Sequence, residues 1–263
     1  AMVAGRRPAT MAGMTDDLFR QDAYLRECSA HITAVTEAGI VLDRTVFYPL
    51  GGGQAGDSGV LVLADGTEIA IADTRKGKDA EGNATSDIVH VPAPGQEALL
   101  ATLTPGTAAS ARIDWERRHR MMRLHTTSHL LCHVVPQLVN GCSITPDYAR
   151  LDFAMTDPLD KEQLTAAIAT LVAAAHPLTV ASISDEELDA NPALVKSMSV
   201  QPPRGTGRIR TIRIGGEGDA PLIDLQPCGG THVANTAEIG AIVVTKIEKK
   251  SATTRRVVLG FAP

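Results

Sequence analysis

The sequence predicts an α+β protein in which a small N-terminal β-barrel precedes a domain of helices packed on a mixed or antiparallel sheet. Two observations lead to this fold class. Runs of β-forming residues joined by short turns fill the first half, whereas helix and strand signals alternate in the second. With 263 residues, 44% of them hydrophobic, the chain is long enough for two domains with cores of their own. We expect the barrel over residues 15–111 and the second domain over 112–263.

The first half contains two hairpin patterns. In residues 59–72, two runs of β-forming residues flank Asp65-Gly66, a dipeptide that favours a primed two-residue turn. Residues 31–42 contain a second pair of such runs, separated near Gly39. Residues 75–107 are rich in Gly, Pro and polar residues, which predicts loops interleaved with short strands. We interpret these short strands together as the small barrel.

The second half begins with a predicted helix near Trp115, which Pro136 interrupts or ends. Asp157-Pro158 is expected to open a second helix, because proline is well tolerated in a first turn. Residues 184–187 form a capping-box pattern that predicts a short third helix. Strands are expected at 208–214, 239–247 and 255–261.

Composition excludes several classes of protein. No run of about 18 apolar residues exists, so no membrane span is predicted. Residues 1–14 resemble a disordered tail or an expression-vector remnant more than a signal peptide. The four cysteines form no Cys-x-x-Cys pair, which suggests reduced thiols and a cytoplasmic protein. A net charge of −5 argues against a nucleic-acid surface all over the molecule, although local basic patches can still bind RNA.

Two short motifs contain side chains suited to a metal ion. His125 and His129 are four residues apart, hence on one face of a helix, but His133 continues the same spacing. Cys228 and His232 flank a Gly-Gly-Thr sequence that can fold tightly round an ion. Each motif alone has an ordinary explanation, namely a solvated histidine pair or a turn with a buried cysteine. Together they form a nitrogen and sulfur set suited to zinc. The wide separation suits a catalytic cleft as well as a structural site.

Residues 47–59 contain a third motif, which is rich in glycine. Successive glycines allow backbone N–H groups to approach a ligand, while Gln54 and Asp57 offer directed polar contacts. The motif is not a phosphate-binding P-loop, because no Gly-Lys-Ser/Thr follows it. A glycine bulge at a barrel edge remains the alternative.

Basic residues concentrate in three segments, 112–123, 204–213 and 246–256. Such clusters can neutralise the phosphates of a nucleic acid, although charged runs are usually solvated faces. Aromatic residues make up only 3% of the chain, which argues against a stacking platform for single strands.

The three motifs, in this order, resemble the alanyl-tRNA editing proteins, which comprise the editing domain of alanyl-tRNA synthetase and the free-standing AlaX proteins. The matching segments are 47–59, 117–131 and 224–240, and Arg255-Arg256 also fits. Other tRNA-editing domains, including that of threonyl-tRNA synthetase, share the His and Cys pattern but are not expected to carry the glycine-rich motif. The chain length is similar to that of the medium-length AlaX class.

The resemblance implies roles for individual residues. The metal positions are His125, His129, Cys228 and His232, although His232 could instead be a neighbour of an open site. His133 is then a residue that packs near the ligands, and Cys132 a core residue. The catalytic candidates are Gln54 and Thr127. Substrate-binding candidates are Gly51, Gly52, Gly53, Asp57, Thr126 and Thr145. Candidates for tRNA contact are Arg117, Arg118, Lys249, Lys250, Arg255 and Arg256.

The implied activity is zinc-dependent hydrolysis of the ester in Ser-tRNA(Ala), with Gly-tRNA(Ala) as a second candidate and Ala-tRNA(Ala) spared. The implied cofactor is Zn²⁺ and the implied partner is mischarged alanine tRNA, with no obligate protein partner indicated. Zinc would activate water or only hold the substrate, and the sequence does not decide between these. Three other hypotheses stay open: editing of another misacylated tRNA, a non-catalytic tRNA-binding module with structural zinc, and a metal-free Cys228 nucleophile.

Overall fold

The computed structural model describes residues 14–203, 205 and 207–263, and these form two compact units. The first unit comprises the described residues up to Pro49 together with Gly56–Asp114, and the second comprises Leu50–Ala55 and Trp115–Pro263. The α+β class is confirmed, because several sheets and a few helices make up the chain. The tail predicted over residues 1–14 lies almost wholly outside the described residues.

The first unit is built mainly of strands. Its elements are β1 (Asp16–Asp17), α1 (Leu18–Gln21), β2 (Glu27–Thr36), β3 (Gly39–Leu42), β4 (Arg44–Thr45), β5 (Gly59–Leu63), β6 (Glu68–Lys78), β7 (Ala84–Pro92), α2 (Glu97–Leu100) and β8 (Ala108–Ile113). Six of these strands close into an antiparallel barrel in the order β2-β3-β7-β6-β5-β8. Alternate residues of β2 and β6, such as Ile32 and Ile69, are buried, as the two-residue period of a strand requires.

The second unit combines two antiparallel sheets with helices. Its elements are α3 (Trp115–Val134), β9 (Val139–Ile144), β10 (Tyr148–Ala154), α4 (Lys161–Ala173), β11 (Leu178–Ile183), α5 (Asp185–Ala190), β12 (Ile209–Gly215), β13 (Leu222–Pro227), β14 (Ile242–Ser251) and β15 (Thr254–Phe261), with short 3₁₀ turns at Pro192–Leu194 and Thr236–Ile239. One sheet has the order β14-β15-β10-β9 and the other β11-β12-β13.

The division into units differs from the predicted one at the glycine-rich motif. Leu50–Ala55 belongs to the second unit, not to the barrel, because its backbone pairs with the end of β9. The Ile144 N–H donates to the Gly53 carbonyl at 2.7 Å, and the Ala55 N–H donates to the Ile144 carbonyl at 3.0 Å. Residues 112–114 belong to the first unit instead, since β8 continues to Ile113.

The helix signals were largely correct, with one error of position. Helix α5 begins with the predicted capping box, in which the Ser184 hydroxyl accepts from the Glu187 N–H at 3.1 Å. Helix α4 does not begin at Asp157-Pro158. Its N-cap is Asp160, whose carboxylate accepts from the Gln163 N–H at 2.8 Å, and this bond satisfies a free donor of the first turn. Among the described residues, no helix has the length and apolar character needed to cross a membrane.

Candidate metal centre

Four predicted ligands meet in the second unit. His125 and His129 lie one turn apart in α3, while Cys228 and His232 follow the end of β13. Their potential ligand atoms all lie within 4.8 Å of one another. Cys228 Sγ is 3.6 Å from His125 Nε2 and 3.3 Å from His232 Nε2. The structure therefore brings two distant segments together around one small volume, with three imidazoles and one thiol facing it.

The imidazole of His125 is held from behind by Gln54. The Gln54 Oε1 atom lies 2.8 Å from His125 Nδ1, and it also accepts from the Thr231 N–H at 3.2 Å. The Gln54 Nε2 atom donates to the Thr231 hydroxyl at 2.8 Å, which fixes the orientation of the amide. Because an amide oxygen only accepts, His125 carries its proton on Nδ1, and the lone pair on Nε2 faces the cluster.

The other two imidazoles also have a polar side-chain atom close to Nδ1. His232 Nδ1 lies 3.0 Å from the Thr126 hydroxyl, which also accepts from the Val233 N–H at 3.2 Å. His129 Nδ1 lies 3.2 Å from the Asp224 carboxylate. Partners of this kind fix the tautomer and the ring orientation of metal-binding histidines. The arrangement of all three rings thus suits coordination through Nε2.

One glycine and one arginine shape the loop that carries Cys228. A side chain on Gly230 would overlap the ring of His125, so only glycine fits at that position. Arg210, on β12, donates from Nη1 to the carbonyls of Cys228 at 2.7 Å and Gly230 at 2.9 Å. The Gly230 N–H lies 3.4 Å from Cys228 Sγ, its potential acceptor. These contacts hold the sulfur in the cluster.

The glycine-rich motif forms a tight turn that places the Gln54 side chain next to this cluster. Reciprocal backbone hydrogen bonds join Gly51 and Gln54 at 3.1 and 3.0 Å. Gly52 and Gly53 both have positive φ angles, 59° and 85°, as the two central positions of a type I′ turn require. The alternative of a bulge at a barrel edge is wrong, because the turn belongs to the second unit.

The electrostatics of the cluster favour a thiolate. Burial raises the pKa of Cys228, but His125 and His232 outweigh it and hold that pKa well below its usual value. Burial, helped by His125, lowers the pKa of His232. For His129 burial also lowers the pKa, yet the neighbouring Asp224 and Cys228 outweigh this and raise it to about 9. Three imidazoles and a thiolate are donors that zinc prefers, and so the residues present fit the expected ion.

Three predicted site residues make other contacts. The Thr127 hydroxyl donates to the Arg123 carbonyl of its own helix at 2.7 Å. The Thr145 hydroxyl donates to the Tyr148 carbonyl at 2.9 Å and so closes the turn between β9 and β10. Asp57 belongs to the first unit, where its carboxylate accepts from the Tyr48 N–H at 2.7 Å. Each contact gives these side chains a structural role.

Two residues that follow His129 in α3, Cys132 and His133, were expected to be a core residue and a packing residue, and the structure agrees for only one of them. Cys132 is buried, as expected for a core residue, and burial raises its pKa to about 12. His133 is exposed, so its expected packing role is wrong. Only His125 and His129 of the three evenly spaced histidines belong to the cluster.

The predicted tRNA-binding residues divide into exposed and buried sets. Arg118 is 0% exposed, and Arg255 is buried and donates to the carbonyls of Ser251 and Thr156. Burial removes these two from the predicted phosphate-binding surface. Lys249 and Lys250 are exposed, and Arg117 is partly exposed. The partly exposed Arg256 pairs with Asp152, with Nε to Oδ1 at 2.7 Å and Nη2 to Oδ2 at 3.0 Å.

Asp224, Arg210, Thr231 and Lys196 were missed in the sequence. For Asp224 a signal existed: it lies four residues before Cys228 in a run of alternating polar and apolar residues, and this even spacing predicts that both side chains lie on one side of an extended segment. Lys196 comes from a segment without a regular pattern, and its contact with Asp224 joins positions 28 residues apart. No local spacing could have revealed that contact.

Comparison with known proteins gives the family. Residues 209–258 match the threonyl and alanyl tRNA synthetase second additional domain, and residues 19–117 match the class II (A) tRNA synthetases. The chain is 32% identical over 254 residues to the alanyl-tRNA editing protein AlaX-M of Saccharolobus solfataricus, covering 95% of this chain and 100% of the relative. The AlaX-M protein of Methanosarcina mazei is 31% identical, with 92% and 95% covered. The alanine–tRNA ligase of Hyperthermus butylicus is 34% identical over 89% of this chain but only 24% of the ligase. By these matches, the chain belongs to the AlaX-M family of alanyl-tRNA editing proteins.

Proposed function

We propose that the protein is a zinc-dependent aminoacyl-tRNA deacylase. It would cleave the ester of Ser-tRNA(Ala), with Gly-tRNA(Ala) as a second substrate, and spare Ala-tRNA(Ala). The observation that carries this proposal is the cluster of three imidazoles and one thiol, with a polar side-chain atom within 3.2 Å of each ring's Nδ1. The AlaX-M relatives are alanyl-tRNA editing proteins, which supports the substrate class.

In this proposal His125, His129, Cys228 and His232 hold the ion. A zinc ion there would polarise the ester carbonyl or lower the pKa of a water molecule. Gln54 and Thr126 act by orienting His125 and His232, because their polar atoms are already bonded within the protein.

Selectivity has two physical requirements. A site that hydrogen-bonds the serine hydroxyl leaves its own polar groups unpaired when alanine is bound. This disfavours hydrolysis of correctly charged Ala-tRNA(Ala). Release of glycine requires steric exclusion of the alanine methyl group instead. We assign the amino-acid subsite to the turn of Gly51, Gly52 and Gly53, because it leads directly into Gln54 and hence to His125.

The exposed lysines of the β14–β15 hairpin, Lys249 and Lys250, are the proposed contacts to tRNA phosphates, together with Arg117. Charge pairing limits part of this surface, since Lys250 lies 3.7 Å from Glu248. Phosphate contacts would add affinity without sequence specificity, and their effect should weaken as salt rises.

The test is deacylation of alanine tRNA charged with serine, glycine or alanine, with the wild-type protein before and after chelation and zinc addition. We expect zinc-dependent release of serine, slower or equal release of glycine, and intact Ala-tRNA. His125→Ala should abolish the activity, whereas His133→Ala, a change to an exposed histidine of the same helix, should preserve it.

Other outcomes would overturn the proposal in distinct ways. Cleavage only of another misacylated tRNA would reassign the substrate. Bound zinc without cleavage of any ester would identify a non-catalytic tRNA-binding module. Activity in a protein shown by metal analysis to lack zinc would favour Cys228 as a nucleophile.

A further inference from the structure

The carboxylate of Asp224 lies buried behind His129. Its side chain is 0% exposed, and its two oxygens have different partners. Oδ2 lies 3.2 Å from His129 Nδ1 and accepts from Gln226 Nε2 at 2.7 Å. Oδ1 accepts from the ammonium of Lys196. A buried carboxylate is costly unless each oxygen is paired, so the partner of Oδ1 affects the orientation of the whole group.

Lys196 reaches Asp224 from a separately anchored segment. Its own carbonyl accepts from the Val139 N–H at 2.9 Å, and the Met198 N–H donates to the Val139 carbonyl at 2.8 Å. These bonds attach Lys196 and Met198, on either side of Ser197, to the first residue of β9. The Lys196 side chain is 27% exposed, so part of it remains in contact with solvent while its ammonium pairs with the buried carboxylate.

We propose that Lys196 is a positioning residue of the metal centre, which holds Asp224 so that Oδ2 faces His129 Nδ1. The proposal rests on the metal site assigned above. Gln226 contacts only Oδ2, the oxygen that also faces His129. Lys196 contacts the other oxygen, and pairing at both ends keeps the carboxylate from rotating away. The chain of contacts thus runs from Lys196 through Asp224 to the ring of His129.

The expected effects follow from this chain of contacts. Loss of a hydrogen-bonding partner of a metal-binding histidine typically weakens metal affinity about 10- to 100-fold. Asp224→Asn should fall in this range, and Lys196→Met, which acts one contact further away, should weaken zinc binding about tenfold. Lys196→Arg keeps a cation near Oδ1 and should recover most of the affinity.

The experiment measures zinc affinity of the full chain by competition with a chromophoric chelator, together with the visible absorption spectrum of the Co²⁺-loaded protein. Lys161→Met, a change to an exposed lysine at the start of α4, is the matched control. We expect Lys196→Met to bind zinc about tenfold more weakly, with an altered cobalt spectrum, and Lys161→Met to match the wild type. Equal affinities and spectra in both variants would overturn the assignment.

A double variant separates positioning from a general structural role. If Lys196 acts through Asp224, adding Lys196→Met to Asp224→Asn should weaken zinc binding no further. The double variant removes both charges, so it remains testable if Lys196→Met alone fails to fold. A further tenfold loss in the double variant would contradict action through Asp224. These measurements use no tRNA, so they remain valid even if the protein does not cleave the proposed substrate. A wild-type chain that binds no zinc would overturn the metal site itself.

Discussion

Neighbouring hydroxyl side chains on α3 have contrasting contacts, although they lie in the same buried stretch of helix. Thr126 contacts His232 Nδ1 and accepts from the Val233 N–H, so its hydroxyl links the helix to the Cys228 loop. The Ser128 hydroxyl instead donates to the Leu124 carbonyl of its own helix at 2.9 Å. Only the first hydroxyl can influence the geometry of the cluster directly.

This contrast makes a prediction for zinc binding. Thr126→Val keeps the shape of the side chain but removes the partner of His232, and it should weaken zinc affinity about tenfold. Ser128→Ala removes a bond within the helix and should leave the affinity within about twofold of wild type, because no ligand loses a partner. Competition with a chelator measures both. Equal losses in the two variants would contradict the role given to Thr126.

At the scale of elements, the turn that precedes Gln54 imposes a narrow steric limit. Gly53 has a φ of 85°, and a Cβ there would lie 2.5 Å from Cys142 Sγ and 2.9 Å from the Cys142 carbonyl oxygen. Gly218, in the loop before β13, has a φ of 57° but nothing within 4 Å of such a Cβ. Both positions therefore have a positive φ, but they differ in the space available.

Alanine substitutions at these positions should separate the energetic cost of a positive φ from that of a steric clash. Gly218→Ala should lower the free energy of unfolding by about 1 kcal/mol, the cost of a left-handed conformation for an L-residue. Gly53→Ala adds a clash with backbone and should cost about 3 kcal/mol. Urea unfolding of each variant gives the comparison, since both lie in the second unit. A smaller loss for Gly53→Ala than for Gly218→Ala would contradict the steric argument.

At the same scale, short sequence motifs predicted which helices and strands exist better than they predicted the residues at which these begin. The capping box at Ser184 was correct because the whole motif lies within four consecutive residues. The start of α4 was misplaced because Asp157-Pro158 and Asp160 are both plausible starts, and only the bond to Gln163 distinguishes them. The strand expected at 239–247 begins at Ile242, since Thr236–Ile239 forms a 3₁₀ turn.

For the whole molecule, the sequence predicts the candidate metal ligands but not the residues that contact them from outside the cluster. His125, His129, Cys228 and His232 belong to compact motifs whose residue types have few other uses together. The contact of Lys196 with Asp224 depends on tertiary folding alone. So does the transfer of Leu50–Ala55 to the second unit, which results from backbone pairing with β9.

The response of the whole protein to acid should depend on a buried histidine of the barrel unit. His90 is 0% exposed, and its Nδ1 donates to the Ile40 carbonyl at 2.9 Å. Its Nε2 therefore accepts from the Thr45 hydroxyl, at 2.7 Å, in the neutral form. Burial lowers the pKa of His90 from 6.5 to about 4. Protonation would also set an N–H against the Thr45 oxygen unless that hydroxyl turned.

The sign of the effect follows from this lowered pKa. Between pH 6.5 and pH 4 the unfolded chain binds a proton at His90 that the folded chain does not. The free energy of unfolding therefore decreases as the pH is lowered through this range. The loss should approach roughly 3 kcal/mol at pH 4. His90→Asn keeps a donor near the Ile40 carbonyl but does not titrate, so its stability should fall less steeply. Urea unfolding followed by circular dichroism across this range measures both slopes, with His31→Asn, a change to an exposed histidine of the same unit, as control. Identical slopes for the wild type and His90→Asn would show that protonation of the other histidines and the carboxylates alone controls acid unfolding.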